Sequence, residues 1–327
     1  MVRFELRHLK GAWFAFAAII VPGLASAQSA VTPSVPEPAT TLAPGSEDSL
    51  RVSVGATYAE GRYGQTARTE VATLPVSIKY THARFSVKVT VPYVHIHGPG
   101  TLLDGTGSGA SGSGSSGGSG GGVVSEKETE TETGAGSTGT GGGSGEAESG
   151  ASIIGPIVPV GPVAAPLRNR GGIGDTTVTL AYSLPLSEQI SLEPRGRIKL
   201  PTASSRKGIG TGKVDVTLAA DVVGTFGPTS VYAGARRRFL GRSVQFPLRD
   251  GWGFGGGASH QITSALTLGA DYDWLQSAAP GRGPISEGSL WISAKLSRQV
   301  RLQAYGGAGF SARSADALGG LTLVWKP

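Results

Sequence analysis

Polar and apolar residues alternate with a period of two along most of this chain, the spacing that sends successive side chains to opposite faces of a β-strand. In 190–200, Ile190, Leu192, Ile198 and Leu200 share one face, while Ser191, Glu193, Arg195, Arg197 and Lys199 share the other. In 213–222, Val214, Val216, Leu218, Ala220 and Val222 oppose Lys213, Asp215, Thr217, Ala219 and Asp221. The stretch 266–274 repeats the theme, with Thr267, Gly269, Asp271 and Asp273 against the apolar face. One face suits lipid and the other a wet interior. Extended along the chain, the pattern predicts about twelve strands of membrane-spanning length. They fall at 50–60, 68–80, 84–97, 172–185, 188–200, 212–224, 229–239, 251–261, 265–275, 285–297, 299–310 and 316–326.

A soluble sandwich also alternates, so the gaps between strands carry the decision. Five short gaps, at 81–83, 186–187, 226–228, 262–264 and Arg298, alternate with six longer, turn-rich ones. If the first strand starts from the periplasm, every short gap is periplasmic and every long one extracellular, which is the asymmetry of outer-membrane barrels. The fold expected is therefore all-β, a transmembrane antiparallel up-and-down barrel. Tyr58, Tyr80, Tyr93, Tyr182, Phe239, Trp252, Trp274, Phe310 and Trp325 lie near strand ends, mostly on the lipid-facing parity, as two interfacial girdles would. The segment 319–325, Gly-Gly-Leu-Thr-Leu-Val-Trp, resembles the C-terminal β-signal read by the barrel-assembly machinery, although Lys326 and Pro327 follow its last aromatic.

The ends and the middle of the chain fit an exported barrel. Arg3, Arg7 and Lys10 precede an apolar run at 11–24, and Ala25-Ser26-Ala27 has the small-x-small form of a signal-peptidase site. Residues 1–27 are read as a cleaved signal peptide, 28–49 as a Pro/Ala/Ser/Thr-rich disordered periplasmic lead-in, and 50–97 with 171–327 as the barrel. Residues 98–170, rich in Gly, Ser and Glu with a Pro/Val run at 156–166, read as a disordered extracellular loop insert that cannot bury a core. The chain has 327 residues, 53 of them Gly and 20 Pro, and no Cys, so no disulfide framework supports it. A formal charge of +6 spread over many strands gives no single basic stripe for nucleic acid.

On the inward parity fall Lys79, Lys88, Arg195, Arg197, Lys199, Arg236, Arg238, Lys295 and Arg301, against Asp175, Glu193, Asp215, Asp221, Asp271 and Asp273. In so narrow a lumen many of these should pair across the interior and partly plug it. The functional alternative is that unpaired Arg195, Arg197, Arg236 and Arg238 line a constriction favouring anionic solutes.

Other chemistry fails on spacing. The stretch Gly208-Ile-Gly-Thr-Gly-Lys213 is followed by Val214 and lacks the Gly-x4-Gly-Lys-Ser/Thr form of a phosphate loop. His95 and His97 share a strand face but have no carboxylate close in sequence to complete a metal site. His260, the one strand histidine of the second half, has no nucleophile pattern around it. The sequence predicts no enzyme, cofactor, metal or nucleic-acid partner. Its expected partners are outer-membrane lipid, the assembly machinery and a small solute.

The segment Gly171-Gly-Ile-Gly174-Asp175, then Lys199-Leu-Pro201-Thr202, then Gly208-Ile-Gly210-Thr-Gly212 with Asp215 beyond, resembles the MetA-pathway phenol-degradation family of outer-membrane proteins. Leu74-Pro-Val76, Pro92-Tyr93 and Gly98-Pro-Gly100 fit the same pattern. The resemblance covers most of the barrel but not the insert, and implies transport of hydrophobic or aromatic compounds across the outer membrane. The residues themselves suggest structure first, with Gly174-Asp175 opening a strand and the Gly-x-Gly-x-Gly run shaping a loop. The leading function is a passive or facilitated channel for small solutes. The alternative is a non-conducting barrel that displays the insert at the cell surface.

Overall fold

A computed structural model of the chain describes residues 48–64, 67–98, 101–102, 153–154, 169–244 and 246–327. The segment read as a signal peptide, nearly all of that read as a lead-in and most of that read as an insert lie outside the described residues.

The described chain is all-β and forms a closed antiparallel barrel of twelve strands. They are β1 (Ser49–Gly61), β2 (Thr69–His82), β3 (Phe85–His97), β4 (two segments, Asn169–Ile173 and Thr176–Tyr182), β5 (Ile190–Leu200), β6 (Asp215–Phe226), β7 (Thr229–Phe239), β8 (Gly251–Thr263), β9 (Leu266–Leu275), β10 (Ile285–Lys295), β11 (Val300–Gly309) and β12 (Ala317–Trp325). Each pairs with its sequence neighbour, and β12 pairs with β1 from Trp325↔Val52 to Ala317↔Glu60. Closure leaves no unpaired edge, which satisfies the backbone where no water can.

No strand end differs by more than three residues from the position its alternation predicts. Two differences have local causes. The fourth strand is interrupted at Gly174-Asp175, where the Gly174 N–H donates to Pro92 O at 2.8 Å and the pairing with β3 shifts register. Pro92 has no N–H to offer, and it faces Pro75 of β2, so the ladder is weakened at this height. The sixth strand starts at Asp215 rather than 212, because 203–212 fold inward at the barrel end, where Ala203 and Thr211 bond to the inward Asp175 and Lys199. Outside the barrel, Thr101–Leu102 pairs with Ile153–Ile154 at the base of the insert.

One end of the barrel carries the start of β1, the end of β12 and the tight connections, such as Ala83-Arg84, Gly227-Pro228 and Ser264-Ala265. The other end carries the long loops. Outward positions are aliphatic or aromatic and exposed, among them Val54, Val76, Val91, Leu218, Leu290 and Leu323. Inward positions are buried and largely polar, including Ser77, Thr90, Glu193, Asp221, Asp271, Ser293 and Thr322. This inversion of a soluble fold is stable only where the outer surface meets hydrocarbon. Tyr80, Phe85, Tyr182, Phe226 and Trp325 ring the short-turn end; Tyr58, Tyr93, Phe239, Trp252 and Phe310 ring the other. On the latter band Trp252 stacks on Phe254 (6.3 Å between centroids), Phe254 meets Trp274 (5.7 Å), and Arg237 lies over Trp252 (5.2 Å).

Candidate functional site

The lumen is the site, and its walls are built by cross-strand chemistry. On β8 the inward positions Gly253, Gly255 and Gly257 leave a bare strip between β7 and β9. Arg236 reaches across it from β7 and donates two bonds to Asp273 of β9, Nη1 to Oδ1 at 2.9 Å and Nη2 to Oδ2 at 2.5 Å. One layer lower, the Tyr232 hydroxyl donates to Asp271 over Gly257. Side chains at these glycines would displace both bridges: a Cβ at Gly253 would stand 2.7 Å from Arg236 Nε, and one at Gly257 2.5 Å from Tyr232 Oη. A planar guanidinium facing a carboxylate in this geometry makes a bidentate, charge-assisted pair.

Arg195 of β5 pairs with Asp221 of β6, and Glu193 stands in register opposite Asp221. Arg197 projects inward above Arg195, and Arg238 donates to the Gln276 carbonyl at 3.0 Å. Pairing across the interior is what the sequence leads one to expect, and at Arg195 and Arg236 the structure differs. Arg195 and Arg236 are paired, but along the wall, with the adjacent strand or the next but one. The reading of Arg195 and Arg236 as unpaired constriction cations falls with it.

The residues that carry the family resemblance converge on one buried knot at the long-loop end. Lys199 Nζ lies 3.1 Å from Asp175 Oδ2, 2.7 Å from Asp215 Oδ2 and 3.1 Å from Thr211 Oγ1. All three charged groups are almost fully buried. The other oxygens hold loops: Asp175 Oδ1 accepts the Ala203 N–H at 2.9 Å, and Asp215 Oδ1 accepts the Gly241 N–H at 2.8 Å. Pro201 ends β5, and Thr202 donates to the Gly174 carbonyl at 2.8 Å while accepting the Thr176 N–H. Gly210 packs against the Asp175 carboxylate, where a Cβ would come within 2.7 Å of Oδ2, and Gly212 turns the chain with φ +67°. Two loops, the one after β5 and the one after β7, are thereby tied to the wall by one lysine and two carboxylates.

The strand pattern did not foretell what lies inside the long-loop end. Ala59, Tyr63, Val71, Val94, Ile96, Ala203, Ile209, Ala315 and Leu318 form one apolar cluster, and Leu240, Phe246, Leu248, Leu275, Ala278 and Ile285 form a second. The loops after β1, β5, β7, β9 and β11 each contribute, so they fold inward. Val94, Ile96, Leu275 and Ile285 are aliphatics at the long-loop ends of their strands, on the inward parity, and that is the signal that marks the cap in the sequence. Asp250 supports the loop over the second cluster, accepting the Leu240 N–H at 3.0 Å and pairing with Arg242 at 3.2 Å. That backbone donor, with Arg242 beside it, holds the Asp250 carboxyl below its ordinary value.

Lys295 faces Arg301 and Lys79 faces Lys88 toward the short-turn end. His95 and His97 are on the outward face of β3, and His260 is exposed at the short-turn end, 2.9 Å from Thr229 Oγ1. Among the described residues, no three His, Cys, Asp or Glu side chains gather as a metal site.

No protein-family model matches the chain, and no curated protein sequence does. Solved structures do. The COG4313 outer membrane channel from Pseudomonas putida F1 superposes with a TM-score of 0.52 at 13% identity, over 88% of this chain and 97% of that one. The KdgM porin gives a TM-score of 0.46 at 9% identity, over 84% and 98%. At such identities the likeness is one of fold alone, that of an outer-membrane β-barrel.

Proposed function

We propose that this protein is an outer-membrane channel, a passive or facilitated conduit for small solutes, with the short-turn end in the periplasm and the long loops outside. The observation that carries the reading is the lumen itself: a closed barrel whose buried interior is lined by layered ionic and hydroxyl groups while its outer face is aliphatic. A polar interior of this kind is what hydrated solutes need in order to cross hydrocarbon. The resemblance of the Gly174-Asp175, Lys199–Thr202 and Gly208–Gly212 segments to the phenol-degradation family adds hydrophobic or aromatic compounds to the candidate solutes.

A second reading, a non-conducting barrel that displays its insert, draws on the two apolar clusters at the long-loop end. Single-channel recording in planar bilayers separates the two. A conduit gives stepwise currents that survive deletion of 105–150. A display barrel of proven fold gives a silent bilayer, and its loss of that segment removes surface binding only.

A further inference from the structure

Arg237 breaks the rule of the outer face. Among the described residues it is the one lysine or arginine on the outward parity of any strand, between Ala235 and Phe239 on β7. It stands two residues before the long-loop end of that strand, about 7 Å along it from the rim. Its ladder neighbours are Leu218 and Trp252, and its guanidinium lies over two rings, 5.2 Å from the Trp252 centroid and 5.8 Å from that of Phe239. A guanidinium laid on aromatic faces is held at a fixed height and keeps its planar fork of N–H groups for other partners.

More positive charge stands nearer the rim. Gly241 packs against Lys213, where a Cβ on the glycine would come within 2.5 Å of Lys213 Cβ, and Arg242 follows it. Both Lys213 and Arg242 are exposed. The carboxylates nearby are engaged: Asp250 accepts the Leu240 N–H at 3.0 Å and pairs with Arg242 at 3.2 Å, while Asp215 is buried and turned inward to Lys199. Lys213 and Arg237 are thus the excess charge of this face. The rim of β1 and β2 has the opposite sign. Glu60 and Glu70 face each other there in register, and Asp316 lies beside them, with Arg68 2.9 Å from Glu60 and 3.5 Å from Asp316. In a ring of twelve strands β7 stands across from β1, so the outer rim is polarised from one side to the other.

A cation on the lipid-facing parity is expensive in hydrocarbon and tolerated at the interface, where anionic headgroups meet it. An arginine fork matches a phosphate with two parallel bonds, and a neighbouring lysine adds a point charge. Below them Leu218 and Phe254, each about half exposed, offer the apolar wall along which acyl chains would run. A ligand with a phosphate at the water boundary and chains beneath it fits all of these features.

We infer that Lys213 and Arg237, with the Trp252 ring under the guanidinium, form a seat on the outer wall for a lipid-borne phosphate, that of the phosphorylated glycolipid of the outer leaflet. The inference goes beyond the conduit reading and takes from it only that the long loops face outward.

The test titrates the full chain, purified in nonionic detergent and cleared of lipid, with bisphosphorylated lipid A, and counts bound lipid by native mass spectrometry. Each interfacial Lys or Arg adds about fivefold in affinity for an anionic surface, so lipid A should be held at least about tenfold more tightly than the same lipid with its phosphates removed. Lys213→Gln combined with Arg237→Gln should erase that difference, and Arg298→Gln, an exposed cation in the tight turn at the other end, should leave it. The ratio of the two lipids on the native protein needs no variant, so the test stands even where the double variant fails to fold. Equal retention of the dephosphorylated lipid, a difference that persists in the double variant, or displacement of lipid A by an equal concentration of inorganic phosphate overturns the seat. Bilayer currents judge the conduit separately: a barrel that conducts yet shows no preference for the phosphorylated lipid loses this site and keeps its function.

Discussion

Arg236 and Asp273 form a two-bond ion pair across an intervening strand, and they meet because Gly253 of that strand has no side chain between them. Both are nearly buried, at 12% and 11% side-chain exposure. Removing one partner of such a pair strands the other charge, a change that costs about 3–5 kcal/mol. Asp273→Asn should therefore lower the unfolding midpoint in detergent micelles, and Gly253→Val should approach the same loss by displacing the guanidinium. The double variant should cost much less than the sum. Additive losses in that cycle would show that the glycine and the bridge act independently.

The knot around Lys199 makes a sharper prediction about loops than about the barrel. Lys199→Met keeps the volume but leaves Asp175 and Asp215 facing each other without their shared cation. The carboxylates also hold the Ala203 and Gly241 N–H groups, so repulsion between them pulls on the segments 201–214 and 240–250. Limited proteolysis should cleave those segments at least about tenfold faster than in the native protein, a local cost of about 1.4 kcal/mol or more. Strand-protected sites should not change. Unaltered cleavage of 201–214 would mean that the apolar contacts of Ala203 and Ile209 suffice to hold the loop.

Much of this fold is legible because a membrane barrel is a repeated local rule. In 190–200 every inward residue is polar and almost every outward one apolar, so period, length and parity together determine β5. The rule loses its grip where geometry is nonlocal. The Gly253–Gly257 run shows no alternation, and its meaning appears only when Arg236 and Asp273 arrive from neighbouring strands in a register that the sequence does not state. Whether Arg195 pairs across the lumen or along the wall depends on the same register. Gly174-Asp175 reads as a strand opening, whereas the break there is set by Pro92 on β3 and by the Lys199 knot. The apolar cap was visible in part, since Val94, Ile96 and Leu275 occupy inward positions where a wet lumen would have polar ones.

The loop across the second apolar cluster should respond to acid. Asp250 has its pKa lowered in the folded protein by the Leu240 N–H and Arg242, relative to an ordinary value of 3.8. A depressed carboxyl contributes stability that is present in full above its unfolded value and lost as pH falls through the folded one. The loop 240–250 should thus be protected near neutrality and release as pH drops below about 3.8. Trp252, two residues beyond Asp250, reports the change by its fluorescence. Asp250→Asn should remove that acid-dependent step while keeping one acceptor for the Leu240 N–H; persistence of the step in the variant would assign it to another carboxylate.

The outward face gives the test that distinguishes a membrane barrel from a soluble one of the same topology. Val54, Val76 and Val91 lie side by side in the middle of β1, β2 and β3, in register and all exposed. On a water-facing sheet, an arginine at position 76 would replace an exposed valine with little effect, within about 0.5 kcal/mol. At a bilayer midplane the same guanidinium must leave water or deform the lipid, at about 2–4 kcal/mol. Urea unfolding of Val76→Arg in phospholipid vesicles should therefore show a loss in the latter range. Gln299→Arg, an exposed substitution in the tight turn before β11, should show almost none. A Val76→Arg barrel as stable as the native one would place that valine strip outside the hydrocarbon and move the membrane-embedded band along the barrel axis.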